Sequence, residues 1–236
     1  ESGHLEGTRG ESLAALRNGE FVYEESLYPV AEYSFRHPLT QEVALATLLG
    51  DRRRAVHAAV ARAIESFDAD RLDEQAALLA HHYAEAGRPF DAARWHGRAA
   101  TYIGKSDFAE ARRNWQRVRE LLPGVEGEPA AAQLGATACR ALLALSIRFP
   151  LGQEEARQIF EDGRRWAEAS GEPDRVALLH QALAVAEGNH LRLDSALEHA
   201  EAFATTIRST ADPELRAMAF WPSLVPLRLL GRLSEH

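Results

Sequence analysis

The sequence predicts a mainly α-helical protein built of stacked helical hairpins and preceded by a small α+β segment. Three observations carry that prediction. From Asp51 onward the chain is dominated by Ala, Leu, Arg and Glu, residues that enter helices at low cost. Apolar residues in that part recur three and four apart, as in Ala55, Ala59, Ala63 and Phe67, or Leu134, Ala138, Leu142 and Leu145. Gly-Glu-Pro at 127–129 returns at 171–173, and Ala-Asp-Pro stands at 211–213, so the pattern repeats at intervals of 44 and 40 residues. A period near 40 in an all-helical chain is the mark of hairpins that bury their apolar faces only against one another.

The first 50 residues differ in character and are expected to form a unit of their own, 1–50, ahead of the helical part, 51–236. Ser12–Asn18 predicts a short helix carrying Leu13 and Leu16 on one side. Phe21-Val22-Tyr23 and Glu32-Tyr33-Ser34-Phe35 are aromatic and alternating, and with Leu27-Tyr28-Pro29 between them they predict a β-hairpin. His37-Pro38 then opens a helix through Leu49, ended by Gly50, with Asp51 placed to cap the next. Phe35 and His37 therefore mark the junction where the hairpin hands over to helices.

Beyond that point Gly and Pro punctuate the chain at 87–89, 123–124, 150, 171–173 and 213. A proline is tolerated in the first helical turn, where its missing N–H has no intrahelical partner to lose, so these marks predict helix starts. Helices are expected over 51–67, 73–86, 89–103, 107–121, 129–148, 153–170, 173–187, 191–209 and 213–230, the last interrupted by Pro222 and Pro226.

Within this series the stretch from Trp95 to Pro123 is the most specific. Trp95, Ala99 and Tyr102 fall on one helix and Ala111, Trp115 and Val118 on the next, with Pro123 closing the unit. That spacing resembles the tetratricopeptide repeat, in which small residues let two helices approach and aromatics fill the gaps beside them. Arg98 stands where the pattern prefers leucine. The resemblance implies a right-handed solenoid of helical hairpins, with the first helix of each hairpin lining a concave face. His96, Arg148 and Gln181 are then the candidates for contacting a partner there.

A wider resemblance rests on Tyr33-Ser34-Phe35-Arg36-His37-Pro38-Leu39-Thr40-Gln41-Glu42-Val43-Ala44, followed by Arg52-Arg53-Arg54-Ala55-Val56-His57, Leu72–His82 and Ala92–His96. This series, over residues 12–122, resembles a family of bacterial multidomain signalling proteins. These join a class III adenylate or guanylate cyclase domain, a STAND-type ATPase of the AAA+ superclass and a C-terminal helical-repeat region. The helix, hairpin and helix of residues 1–50 then resemble the end of the ATPase's winged-helix module, and Leu45 departs from the tyrosine usual in relatives. The resemblance implies a non-catalytic, cytoplasmic, regulatory scaffold whose partner is another protein or the parent's own ATPase and cyclase domains. Relatives that end in a DNA-binding domain keep a second reading open: an inducer-sensing region of an ATPase-type transcriptional regulator. The chain begins at Glu1 without an initiator methionine and is read as a piece of such a longer protein.

Composition narrows the chemistry further. The net charge of −8 weighs against a dedicated nucleic-acid binder, and the clusters Arg52–Arg54 and Arg112, Arg113, Arg117, Arg119 are read as solvated, ion-paired helix faces. A single cysteine, Cys139, excludes a disulfide framework within the chain and is expected to be buried and inert. No apolar run is read as a membrane span. Ala99–Ser106 fits a relaxed phosphate-loop pattern ending in Lys105-Ser106, but that chemistry needs a strand before the loop, and a helix is predicted there. Among ten histidines there is no His-x-x-x-His pair, and adjacent His81 and His82 project about 100° apart on a helix. No metal site, cofactor or catalytic residue is therefore expected.

Overall fold

The computed structural model describes residues 2–26, 31–67, 69–125, 127–208, 210, 212–218 and 221–231. Its contacts divide the chain into two compact units, Glu1–Val56 and His57–His236. The protein is mainly helical, with one two-stranded sheet among the described residues.

In the first unit, α1 spans Ser2–Asn18 and extends ten residues upstream of the expected start. The chain then turns through Glu20, which takes a left-handed φ of 58°, while the Phe21 amide donates to the Leu16 carbonyl at 2.9 Å. Strands β1 (Val22–Ser26) and β2 (Glu32–Phe35) form the expected antiparallel hairpin, with Val22 opposite Phe35 and Glu24 opposite Tyr33. The register shifts between Glu24 and Ser26, and the predicted turn at Leu27-Tyr28-Pro29 lies outside the described residues.

Helix α2 (Pro38–Ala46) starts where His37-Pro38 predicts. It ends three residues short of Leu49, and the Thr47 hydroxyl turns back to donate to the Ala44 carbonyl at 2.7 Å. Helix α3 (Gly50–Phe67) begins one residue early, so Asp51 is a first-turn residue paired with Arg54 rather than a cap.

The second unit continues from His57 in α3. A short 3₁₀ turn (Ala69–Arg71) leads to α4 (Ala76–Glu85), which starts later than residue 73. Then follow α5 (Pro89–Ile103), α6 (Phe108–Leu121), α7 (Pro129–Ala144), α8 (Gln153–Ser170), α9 (Pro173–Asn189) and α10 (Leu193–Ile207). Proline opens α5, α7 and α9 as predicted, and Gly171 closes α8 in the left-handed conformation that glycine adopts without strain. The region 213–230 splits into α11 (Pro213–Ala217) and α12 (Trp221–Leu229). The break falls ahead of both suspected prolines: Pro222 lies in the first turn of α12, and Pro226 is accommodated inside it.

Consecutive helices pair as hairpins: α5 with α6, α7 with α8 and α9 with α10. Each also packs on a near neighbour, α4 on α5, α6 on α7 and α8 on α9. One apolar cluster joins α3, α4 and α5 around Ala61, Leu79, Tyr83 and Trp95. A larger one runs from α5 through α9, with Val118, Leu142, Leu143, Ile159 and Leu179 at its centre. A third gathers Ala177, Phe203, Ile207 and Leu215.

On α3 the buried stripe is not the predicted one. Ala59, Ala63 and Phe67 are exposed, whereas His57 and Ala61 are buried. The helix is rotated so that a histidine, rather than a further alanine, occupies the covered face.

The hairpins cross where side chains are absent. A Cβ on Gly97 would lie 2.9 Å from Leu134, one on Gly135 2.6 Å from the Trp166 ring, and one on Gly163 2.7 Å from the Cys139 Cβ. Pro129–Ile147 is, by length and mean hydropathy of 1.4, long and apolar enough to cross a membrane, contrary to the sequence reading. Half of that stretch is buried, and Ala131, Ala138, Leu142 and Leu143 belong to the large core, the environment that accounts for its apolarity.

Candidate functional site

Of the residues expected to pack the hairpins, Trp95 and Ala99 are buried in the cluster that α5 shares with α3 and α4, Trp115 of α6 is buried in the larger cluster, and Ala111 is buried on α6. Tyr102, in the last turn of α5, is 50% exposed. The relaxed phosphate-loop segment is the end of α5 and a turn: Gly104 terminates the helix and Asp107 caps α6 by accepting from the Glu110 amide at 2.9 Å. Lys105 is exposed there and follows a helix, the wrong framework for cradling phosphate.

The three candidate partner-contacting residues have different surroundings. His96 is half-buried and its Nδ1 lies 2.7 Å from the Asn114 Oδ1, a bond that ties α5 to α6. Burial pushes its pKa down, and the Asn114 bond only partly opposes that. Arg148 is exposed, with its guanidinium 4.0 Å from the Phe108 ring centre in a cation–π contact. Gln181 is half-buried on α9. Among the described residues no hydrogen bond or ring contact links the three. At the other predicted position, Phe35 and His37 are both exposed, and His37 makes no side-chain cap to α2.

The basic clusters are largely ion-paired. Arg113 pairs with Glu110, Arg117 with Glu120 and Arg119 with Asp162. Asp162 also receives Arg165 and lines, with Pro123 and Trp166, a cleft of about 310 Å³ between α6 and α8. Burial works against its charge, but the two guanidinium groups prevail and hold its carboxyl below the usual range. Cys139 is buried, and desolvation pushes its thiol up to about 12, so the reactive thiolate is suppressed.

Histidine geometry is the feature that sequence reasoning missed. Two pairs hold their Nδ1 atoms 2.9 Å apart: His57 of α3 with His82 of α4, and His180 of α9 with His199 of α10. The second pair is covered by Phe160, whose ring centre is 4.9 Å from that of His180 and 5.1 Å from that of His199. Desolvation, reinforced by His199, lowers the pKa of His180 to about 4, and desolvation lowers that of His199 also.

The first pair is joined by His81, and one ring nitrogen from each of the three residues lies within 4.8 Å of the others. His57 is buried, His82 half-buried and His81 exposed. The expected divergence of His81 and His82 does not keep them apart, because each ring reaches sideways toward His57 on the facing helix: their ring centres are 5.4 Å apart. Burial first, then the neighbouring imidazoles, lower the pKa of His82. Only the adjacency of His81 and His82 was visible in sequence; the third ring comes from a residue 25 positions before His82.

A pH dependence follows from the His180 pair. Above the ordinary imidazole value of 6.5, folded and unfolded chains both carry neutral rings at these positions. As pH falls from 6.5 toward about 4, the unfolded chain takes up protons that the folded chain refuses, so stability is lost and the loss levels off below the folded value. Chemical denaturation between pH 7 and 4 should show this decline, and it should be shallower in His180→Leu. Parallel pH curves for the variant and the wild type would remove the His180 pair as its cause.

Comparison with family models, curated proteins and solved structures finds no match for the chain.

Proposed function

We propose that this chain is a non-catalytic interaction scaffold, a tetratricopeptide-like array that relays partner binding to attached ATPase and nucleotidyl cyclase domains. The observation that carries this reading is the succession of hairpins α5–α6, α7–α8 and α9–α10, with one core running from α5 through α9 across the joints between them. The small and aromatic residues of the repeat pattern, Trp95, Ala99, Ala111 and Trp115, are all buried on the first of these hairpins. A surface made of repeated units suits an extended partner better than a small substrate. The resemblance over residues 12–122 supports a cytoplasmic parent of the cyclase and STAND-ATPase kind, with residues 1–50 as the end of a winged-helix module. Partner binding would favour one packing of the array over another and so shift the activity of the attached domains, by as much as its affinities for the two differ.

The test is deletion of residues 70–236 from the multidomain parent. Basal cyclase or ATPase activity is expected to change, or its response to regulation to disappear. Unchanged activity and unchanged regulation would sink the relay. The second reading, an inducer-sensing region of a transcriptional regulator, draws on the cleft lined by Arg119, Asp162, Arg165 and Trp166, which has the size and mixed polarity of a small-ligand site. A helix-turn-helix domain in the parent, in place of a cyclase, would favour it.

A further inference from the structure

We propose that His57, His81 and His82 form a binding site for one divalent transition-metal ion of the imidazole-preferring class, with zinc as the ion that fits best. Among the described residues this is the one group of three or more His, Cys, Asp or Glu side chains whose ligand atoms converge. Three imidazoles are a donor set for zinc, copper or nickel, and a poor one for calcium or magnesium, which take oxygen ligands.

The spacing agrees with that chemistry. Zinc holds imidazole nitrogen at 2.0–2.1 Å, so two such ligands at a tetrahedral angle stand about 3.3 Å apart. The His57 and His82 Nδ1 atoms are at 2.9 Å and the third ring lies within 4.8 Å, so small ring rotations bring all three to one ion. The planes already differ, by 84° between His57 and His81 and 58° between His81 and His82, which lets lone pairs meet from separate directions. Because His81 is exposed, the fourth position opens to solvent and can take water or a ligand atom from outside the chain.

The placement also says what the ion would do. His57 belongs to α3 and the other two to α4, so a bound ion bridges these helices. It adds to the packing of Ala61 against the α4 residues and to the bond from the Tyr83 hydroxyl to the Glu65 carboxylate, at 2.9 Å. Anything that binds the folded chain and not the unfolded one raises stability in proportion to its occupancy.

Tag-free protein stripped with a chelator and titrated with zinc chloride in a calorimeter tests the site, with cobalt chloride absorption as a parallel readout of tetrahedral nitrogen ligation. One ion per chain is expected, together with a rise in Tm and no heat from magnesium. His81→Ala changes an exposed side chain and should keep the far-UV helical spectrum while weakening zinc at least about tenfold. His82→Ala should do the same, and if it fails to fold, His81→Ala carries the test alone. His199→Ala, in the other pair, should leave zinc binding as in the wild type. No zinc binding at micromolar free ion, or full affinity in His81→Ala, would overturn the site and leave a hydrogen-bonded His57–His82 pair.

Discussion

Replacing Arg192 with methionine is expected to destabilise the second unit by about 3–5 kcal/mol, read from chemical denaturation at neutral pH. Glu187, at the end of α9, is 2% exposed, and its carboxylate accepts two hydrogen bonds from the Arg192 guanidinium, at 2.5 and 2.8 Å. The same two residues are tied through the backbone, the Arg192 amide donating to the Glu187 carbonyl at 3.0 Å across a turn in which Leu191 takes a left-handed φ of 58°. Methionine preserves much of the side chain's bulk but leaves a carboxylate in the interior with no cation. The uncompensated charge, more than the lost attraction, sets the cost. Glu187→Gln combined with Arg192→Met should therefore recover a large part of the loss. By contrast Arg157→Ala, which breaks an ion pair between side chains 63% and 82% exposed, should change stability by no more than about 0.5 kcal/mol. A loss below about 1 kcal/mol for Arg192→Met would mean that water reaches Glu187.

Gly163→Ala should cost about 1–3 kcal/mol, although alanine is the better helix former by about 1 kcal/mol. The added methyl would sit 2.7 Å from the Cys139 Cβ and 2.8 Å from a Leu179 methyl. A Cβ is anchored to its own backbone, so α7 must yield as a body rather than by a side-chain rotation. Gly50→Ala is the matching control, because a methyl there meets nothing within 4 Å and gains helix propensity alone. Thermal denaturation of the two variants side by side separates crowding from propensity. Equal stabilities would refute the close crossing of α7 and α8.

Local chemistry made much of the fold legible. Pro89 opens α5 as predicted, Pro129 and Pro173 do the same for α7 and α9, and Gly171 closes α8, because these residues act on the backbone whatever the tertiary context. The burial of α3 was not legible in the same way. Two alanine-rich faces were available on that helix, and the choice between them depends on what α4 presents to it, including His82. For the same reason the metal-binding candidate was hidden: His57 and His82 are 25 residues apart and meet only once the helices have packed. The bond of His96 to Asn114 was likewise not legible, because its partner lies 18 residues on, across the α5–α6 turn.

The separation of the apolar clusters bears on how the molecule comes apart and how it assembles. Most contacts of the second unit join helices one or two places apart along the chain, as α9 touches both α8 and α7 and α12 touches α10, so few require distant segments to find one another. Such a topology closes small loops and favours rapid folding from more than one starting point. The cluster around Phe203, Ile207 and Leu215 shares little with that around Leu79 and Trp95, so α10 and α11 can open while α4 and α5 stay closed. Amide exchange should then fall into blocks along the chain, fastest in α11 and α12 and slowest for α7 and α8, where neighbours cover both sides. A partner gripping several hairpins at once would merge those blocks into a single opening.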